Sequence, residues 1–242
     1  MTADCPSHQY LQKKYIDNAD EYVLPPYSSL ADCAIRTLTT HNIDCGNAWT
    51  MAILALIAGY YLKKDTRWPF IVLSVPIIIH ACIAFLFHAF KAYSYDTWCK
   101  WGRHDGVMIL VAQFFIHVGL HAGLPWTISI LICTAYGLFI YHAITQINEL
   151  EQNKPAEPIV LQYIPVASLM HWVPVLLTTW DVKAILTGVA HCLTMGAALV
   201  MYILHIPERF THSVKYGTSH EYMHIGLWCS YIFHHRMVTI LL

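Results

Sequence analysis

Two histidines four residues apart, in the stretch Ser219-His220-Glu221-Tyr222-Met223-His224, are the residues of this chain best spaced for chemistry. At i and i+4 they lie one above the other on one helical face, the spacing with which a helix offers two imidazoles to one metal ion. The residues that follow, 225–242, are largely apolar, so the pair stands at the mouth of an expected membrane helix. Ionisable groups in such places are costly and are candidates for function.

The elements that must position this pair follow from composition. The 242 residues are 57% hydrophobic and 12% charged, against roughly 25% charged in a soluble domain. That balance indicates an integral membrane protein. The formal net charge of -1 and the lack of a basic tract argue against a nucleic-acid partner. The first 46 residues are fairly polar and hold no apolar signal region, so insertion is expected to rely on internal helices. The eight cysteines form no CxxC pair and lie mostly in apolar segments. They read as reduced, packed thiols, neither a disulfide framework nor a thiolate metal site.

A bilayer core of about 30 Å takes about 20 mostly apolar residues per helix. Seven segments are expected to span: 48–62, 69–93, 106–123, 125–146, 159–180, 182–205 and 221–242. Pro76, Pro165 and Pro174 fall inside them and are tolerable as kinks. The fold class expected is therefore an all-α, seven-transmembrane bundle, with residues 1–46 as a cytoplasmic N-terminal and juxtamembrane segment and 47–242 as the membrane domain. Orientation rests on Lys/Arg bias. Lys13, Lys14, Arg36, Lys91, Lys100, Arg103, Lys154, Arg209 and Lys215 fall on the N-terminal side; Lys63, Lys64, Arg67, Lys183 and Arg236 fall opposite. The N-terminus is therefore expected inside and the C-terminus outside.

With that topology the second helix ends, and the third and seventh begin, at one membrane face. Those places hold His88, Asp105, and the pair His220 and His224. Three neutral imidazoles leave a fourth position on zinc open for water, and other divalent ions also suit them. A carboxylate outside the coordination sphere can orient that water or take its proton, which zinc makes more acidic, toward a pKa of about 7. His80, His117, His121, His142, His171 and His191 read instead as packed, hydrogen-bonded histidines. His234 and His235 read as packing or pore polarity.

The motifs also resemble a known family. Ile206-Pro207-Glu208-Arg209-Phe210, followed by Gly217-Thr218-Ser219-His220-Glu221-Tyr222-Met223-His224, is similar to the last-helix signature of the progestin and adipoQ receptor family. That family includes adiponectin receptors, membrane progestin receptors and hemolysin III proteins. Phe85-Leu86-Phe87-His88, with Asp105-Gly106 seventeen residues after the histidine, resembles its second-to-third helix signature. His41-Asn42 with Asp44-Cys45-Gly46-Asn47-Ala48-Trp49-Thr50 resembles its entry to the first helix, and Tyr22-Val23-Leu24-Pro25-Pro26-Tyr27 its juxtamembrane approach.

The resemblance implies seven helices, a cytoplasmic N-terminus and a buried zinc, with His88, His220 and His224 as ligands and Asp105 beside the water. It implies a receptor for a lipid, steroid or protein hormone, with the N-terminal segment available to a cytoplasmic adaptor. Two alternatives remain: a zinc-dependent, ceramidase-type lipid amide hydrolase, and a hemolysin III-like membrane protein with structural zinc. Three positions depart from the family pattern. Ala84 stands where a serine is usual, which counts against hydrolysis; Asp44 replaces a glutamate and Met51 a histidine, both expected away from the metal.

Overall fold

A computed structural model of the chain describes residues 27–39, 43–207, 209–210 and 218–242. Lys13, Lys14, Tyr22 to Pro26, His41, Asn42, Glu208, Lys215 and Gly217 lie outside them. The described residues form only helices and their connections. In chain order these are α1 (Leu30–Thr39), α2 (Ile43–Lys64), α3 (Trp68–Phe90), α4 (Tyr95–Gly119), α5 (Trp126–Glu149), α6 (Glu157–Met170), α7 (Trp172–Thr178), α8 (Val182–Ile203) and α9 (Ser219–Leu241).

Local chemistry sets the boundaries. Pro69 occupies the first turn of α3, where its missing N–H costs nothing. Ser94 caps α4, its Oγ accepting from Thr97 N at 3.1 Å. That cap starts the helix eleven residues before the expected 106, and Asp105 therefore stands well inside α4. Asp181 caps α8 through Lys183 N at 2.6 Å. The fifth expected span is broken, α6 ending at Met170 and α7 starting at Trp172. Pro174 explains the break: it has no N–H for the carbonyl four residues back, and its ring crowds that carbonyl. His171 stands at the break and is buried.

Five stretches are long and apolar enough to cross a membrane: Asp44–Lys64, Trp68–Phe90, Trp126–Glu149, Glu157–Thr178 and Val182–Ile203. Helices α4 and α9 are as long, at 25 and 23 residues, and are more polar, with Gln113, His117, Glu221, His224 and His234 buried. Leu56, Leu131 and Leu193 are exposed in mid-helix, at 74%, 72% and 69%. Such a bare apolar girth is costly in water and suits a lipid surround.

Consecutive helices pack side by side, α2 on α3, α3 on α4 and α8 on α9 most extensively, with α9 also against α2 and α3. The largest core cluster joins Met51, Leu54, Phe70, Leu73 and Tyr231. Ser74 Oγ and Tyr231 OH share a buried hydrogen bond of 2.7 Å within it. The α4–α5 turn, the end of α7 and the end of α9 meet: a Cβ on Gly123 would stand 2.5 Å from Thr178 Cγ2 and 3.2 Å from Leu241 O. The other end of the bundle therefore holds the start of α9 and the end of α3.

Helix α1 lies outside the long helices and packs on α3. Its Cys33 is fully buried, with Sγ 3.6 Å from Ala89 O, and burial pushes the thiol up to about 11. At pH 8 roughly one Cys33 in a thousand is then the reactive thiolate. Cys33 is expected to resist iodoacetamide in the folded protein and to react on denaturation, read by mass spectrometry of the tryptic peptide. Equal labelling in both states would contradict the packing of α1.

Candidate metal centre

The start of α9 is fixed by a capping box. Thr218 Oγ1 accepts from Glu221 N at 3.2 Å, and Glu221 Oε2 accepts from Thr218 N at 3.3 Å. The pattern Thr-x-x-Glu satisfies two otherwise orphaned donors at once. Glu221 is buried over Gly46 of α2, where a Cβ would stand 1.7 Å from its Oε1, so only glycine lets the carboxylate come this close. With the first turn held, His220 and His224 face the last turn of α3, which bears His88.

The three imidazoles meet. Ring centroids are 4.9 Å apart for His88 and His220, 5.1 Å for His88 and His224, and 4.6 Å for His220 and His224. One nitrogen from each lies within 4.8 Å of the others. Two bonds of about 2.05 Å at a tetrahedral angle need about 3.3 Å between nitrogens, so small side-chain rotations would complete the site.

Hydrogen bonds set the His224 tautomer. Thr50 Oγ1 donates its single hydrogen to Asn47 O at 2.8 Å, so it must accept from His224 Nδ1 at 2.7 Å. That leaves the lone pair on Nε2. A metal-ligating histidine usually has an acceptor on its far N–H, and here the threonine hydroxyl fills that place. Trp228 Nε1 donates to Thr50 O at 2.9 Å and ties the same turn of α2 to α9. His88 is 1% exposed, and its Nδ1 is buried without a hydrogen-bond partner. Such an orphaned atom fits a site built for a cation. These residues could therefore hold a metal ion, which when bound would supply Lewis-acid polarisation.

A cavity of about 100 Å³ opens beside the histidines. Its polar lining is His80, Asp105, Glu157, Tyr202, His220 and His224, and most of the remaining wall is apolar. Tyr202 packs its ring 5.2 Å from that of His220 and hydrogen-bonds Glu157 Oε1. Asp105 does not fall in the close group of ligand atoms. It stands with Oδ1 3.4 Å from His80 Nε2, because the α3–α4 hairpin sets residues equally far from its turn side by side. Asp105 thus lines the cavity beside His80, whose contact with the neighbouring helix is the packed role expected of it. The place of His80 near the site was legible: it lies eight residues, about two turns, before His88 on one helix.

Met51, expected away from the metal, lines this cavity with Ala84 and Phe87. One helical turn before His224's partner Thr50 lies Asn47, so this part of α2 packs against α9 and cannot stay remote. Asp44 pairs with the buried Lys91 at 2.5 Å, joining α2 to the end of α3. Two further groups lie toward the other end: His171, His191 and His234, and His117, His121 and Cys133. Packed, hydrogen-bonded roles were expected for most of these histidines; they are buried, and the helices gather them into groups. No family model matches the chain, and no curated protein matches it.

Proposed function

We propose that the chain is a seven-helix membrane protein of the progestin and adipoQ receptor type, with a cytoplasmic N-terminus and zinc on His88, His220 and His224. Its cavity takes an amphiphilic ligand, a lipid or steroid, apolar body on the wall and polar head toward the histidines. The observation that carries this reading is the meeting of three imidazoles, two of which, His220 and His224, line a cavity whose wall is mostly apolar. Motif resemblance along most of the chain supports the family, and the lengths of α4 and α9 support two spans beyond the five apolar ones. Exposed Trp68, Trp126 and Trp180, beside the starts of α3, α5 and α8, suit a membrane interface at the end opposite the site. The N-terminal segment is then the surface open to a cytoplasmic adaptor.

Purified protein should contain zinc and retain a radiolabelled steroid or fluorescent fatty acid through gel filtration. The His220→Ala, His224→Ala double variant is expected to hold one zinc equivalent fewer; equal metal in both proteins would sink the site. Retention of neither probe would sink the receptor reading.

The Asp105–His80 pair favours a second reading, lipid amide hydrolysis, in which Asp105 takes and returns a proton beside the scissile amide. Ala84 supplies no hydroxyl to that wall, which ranks it second. Sphingosine release from ceramide that disappears in Asp105→Ala at unchanged zinc content is the result it requires.

A further inference from the structure

His171, His191 and His234 come from the α6–α7 break, α8 and α9, and all are at most 5% exposed. One nitrogen of each lies within 4.8 Å of the others. Their partners determine where the lone pairs point. His171 Nε2 is 3.2 Å from Gln113 O and 3.3 Å from Tyr136 OH, which directs its own hydrogen to Ala167 O at 3.4 Å; a carbonyl only accepts, so Nε2 carries the hydrogen and Nδ1 of the neutral ring is bare. That bare Nδ1 faces His234 Nε2 at 3.2 Å.

Ser230 Oγ lies 3.1 Å from His191 Nδ1 and 3.4 Å from His234 Nδ1. A hydroxyl has two acceptor lone pairs, so it can hold the N–H of both rings. Both Nε2 atoms are then bare as well. His191 Nε2 is buried and has no hydrogen-bond partner. A proton on His234 Nε2 would settle its contact with His171 but would leave His191 Nε2 orphaned. A cation serves all three, and 3.2 Å is close to the separation of about 3.3 Å expected between two nitrogens on one tetrahedral ion.

We propose that His171, His191 and His234 form a second transition-metal site, held by imidazole nitrogen alone. Gln113 O and Ser230 Oγ are its outer supports, the arrangement that orients metal-bound histidines generally. The site opens on a cavity of about 10 Å³, room for about one water molecule. Leu120, Trp172, Val175, Phe233 and Met237 line it, and among the described residues no acidic side chain does. Magnesium and calcium demand oxygen ligands and do not fit; zinc and copper accept imidazole. The lack of a carboxylate favours low charge, which sets cuprous copper beside zinc as the ion to test. The site is separate from the first centre: His224 and His234 are ten residues apart on α9, about 15 Å along its axis.

Metal-stripped protein in detergent, loaded with zinc or with cuprous ion under reductant and then gel-filtered, decides the matter. The His220→Ala, His224→Ala variant is expected to keep one equivalent of one of these ions, and adding His191→Gln to remove it. Ser230→Ala, which keeps all three ligands, should lower the affinity of that equivalent by about ten- to a hundredfold; it also stands in if the glutamine variant does not fold. A double variant that holds neither ion, or a Ser230→Ala titration identical to its parent, would overturn the site. The three rings would then be a proton-bonded chain.

Discussion

Alanine at position 224 should release the metal of the first centre. Among the proposed ligands, His224 is oriented by a hydrogen bond: it is 3% exposed and bonded to Thr50 Oγ1 at 2.7 Å. Two imidazoles remain in the variant, one of them the partly exposed His220. Outer supports of such ligands are worth about ten- to a hundredfold in affinity, so removing the ligand itself should cost more than about a hundredfold. Elemental analysis should show one equivalent fewer than in the unaltered protein. Thr50→Val is the graded companion: it keeps all three ligands but leaves Nδ1–H without an acceptor, and affinity should fall by about ten- to a hundredfold. If His224→Ala keeps its full metal, the three rings are not the ligand set.

The second large effect concerns the seam between α8 and α9. A Cβ on Gly226 would stand 2.4 Å from Ala198 Cβ. In a bilayer, helices gain most from such close contact of small residues, since lipid tails solvate larger apolar side chains equally well. Gly226→Leu must separate α9 from α8, and overpacking of this kind costs about 1–3 kcal/mol or more. The melting temperature in detergent should fall by several degrees. Gly196 lies on α8 with nothing within 4 Å of its would-be Cβ, so Gly196→Leu should leave melting nearly unchanged. Similar melting of the two variants would mean that the seam is not the close contact described.

Much of the first centre was legible in the sequence because periodicity is local information. The i, i+4 pair sits on one helix, and His88 is matched to it by counting helices. Asp105 was legible as a polar group of the same region but not in its partner. Ser94 starts α4 early, and the hairpin then brings Asp105 to His80. A turn's position, set by one cap, decided which residue met which. The second histidine group was illegible for a different reason: its members come from three separate parts of the chain, and only packing of α6, α8 and α9 brings them together. One local mark was available. Pro174 interrupts the fifth span four residues after Met170, and the break it makes is where His171 turns inward. The apolar girth was legible throughout, whereas α4 and α9 are diluted by the very side chains that make the bundle's interior polar.

Helix α9 carries His220 and His224 at one end and His234 about 15 Å further on, within one unbroken stretch from Ser219 to Leu241. A straight helix turns and slides as a rod, so a small rotation that tightens one set of rings must reposition the other. Occupancy of the two histidine groups is then thermodynamically linked, and linkage is symmetric: the factor by which the first alters the second equals its converse. A zinc or copper titration of the second group should therefore shift its midpoint when His220 and His224 are replaced by alanine. An unmoved midpoint would mean that the rod is pinned by its neighbours and that each group binds alone.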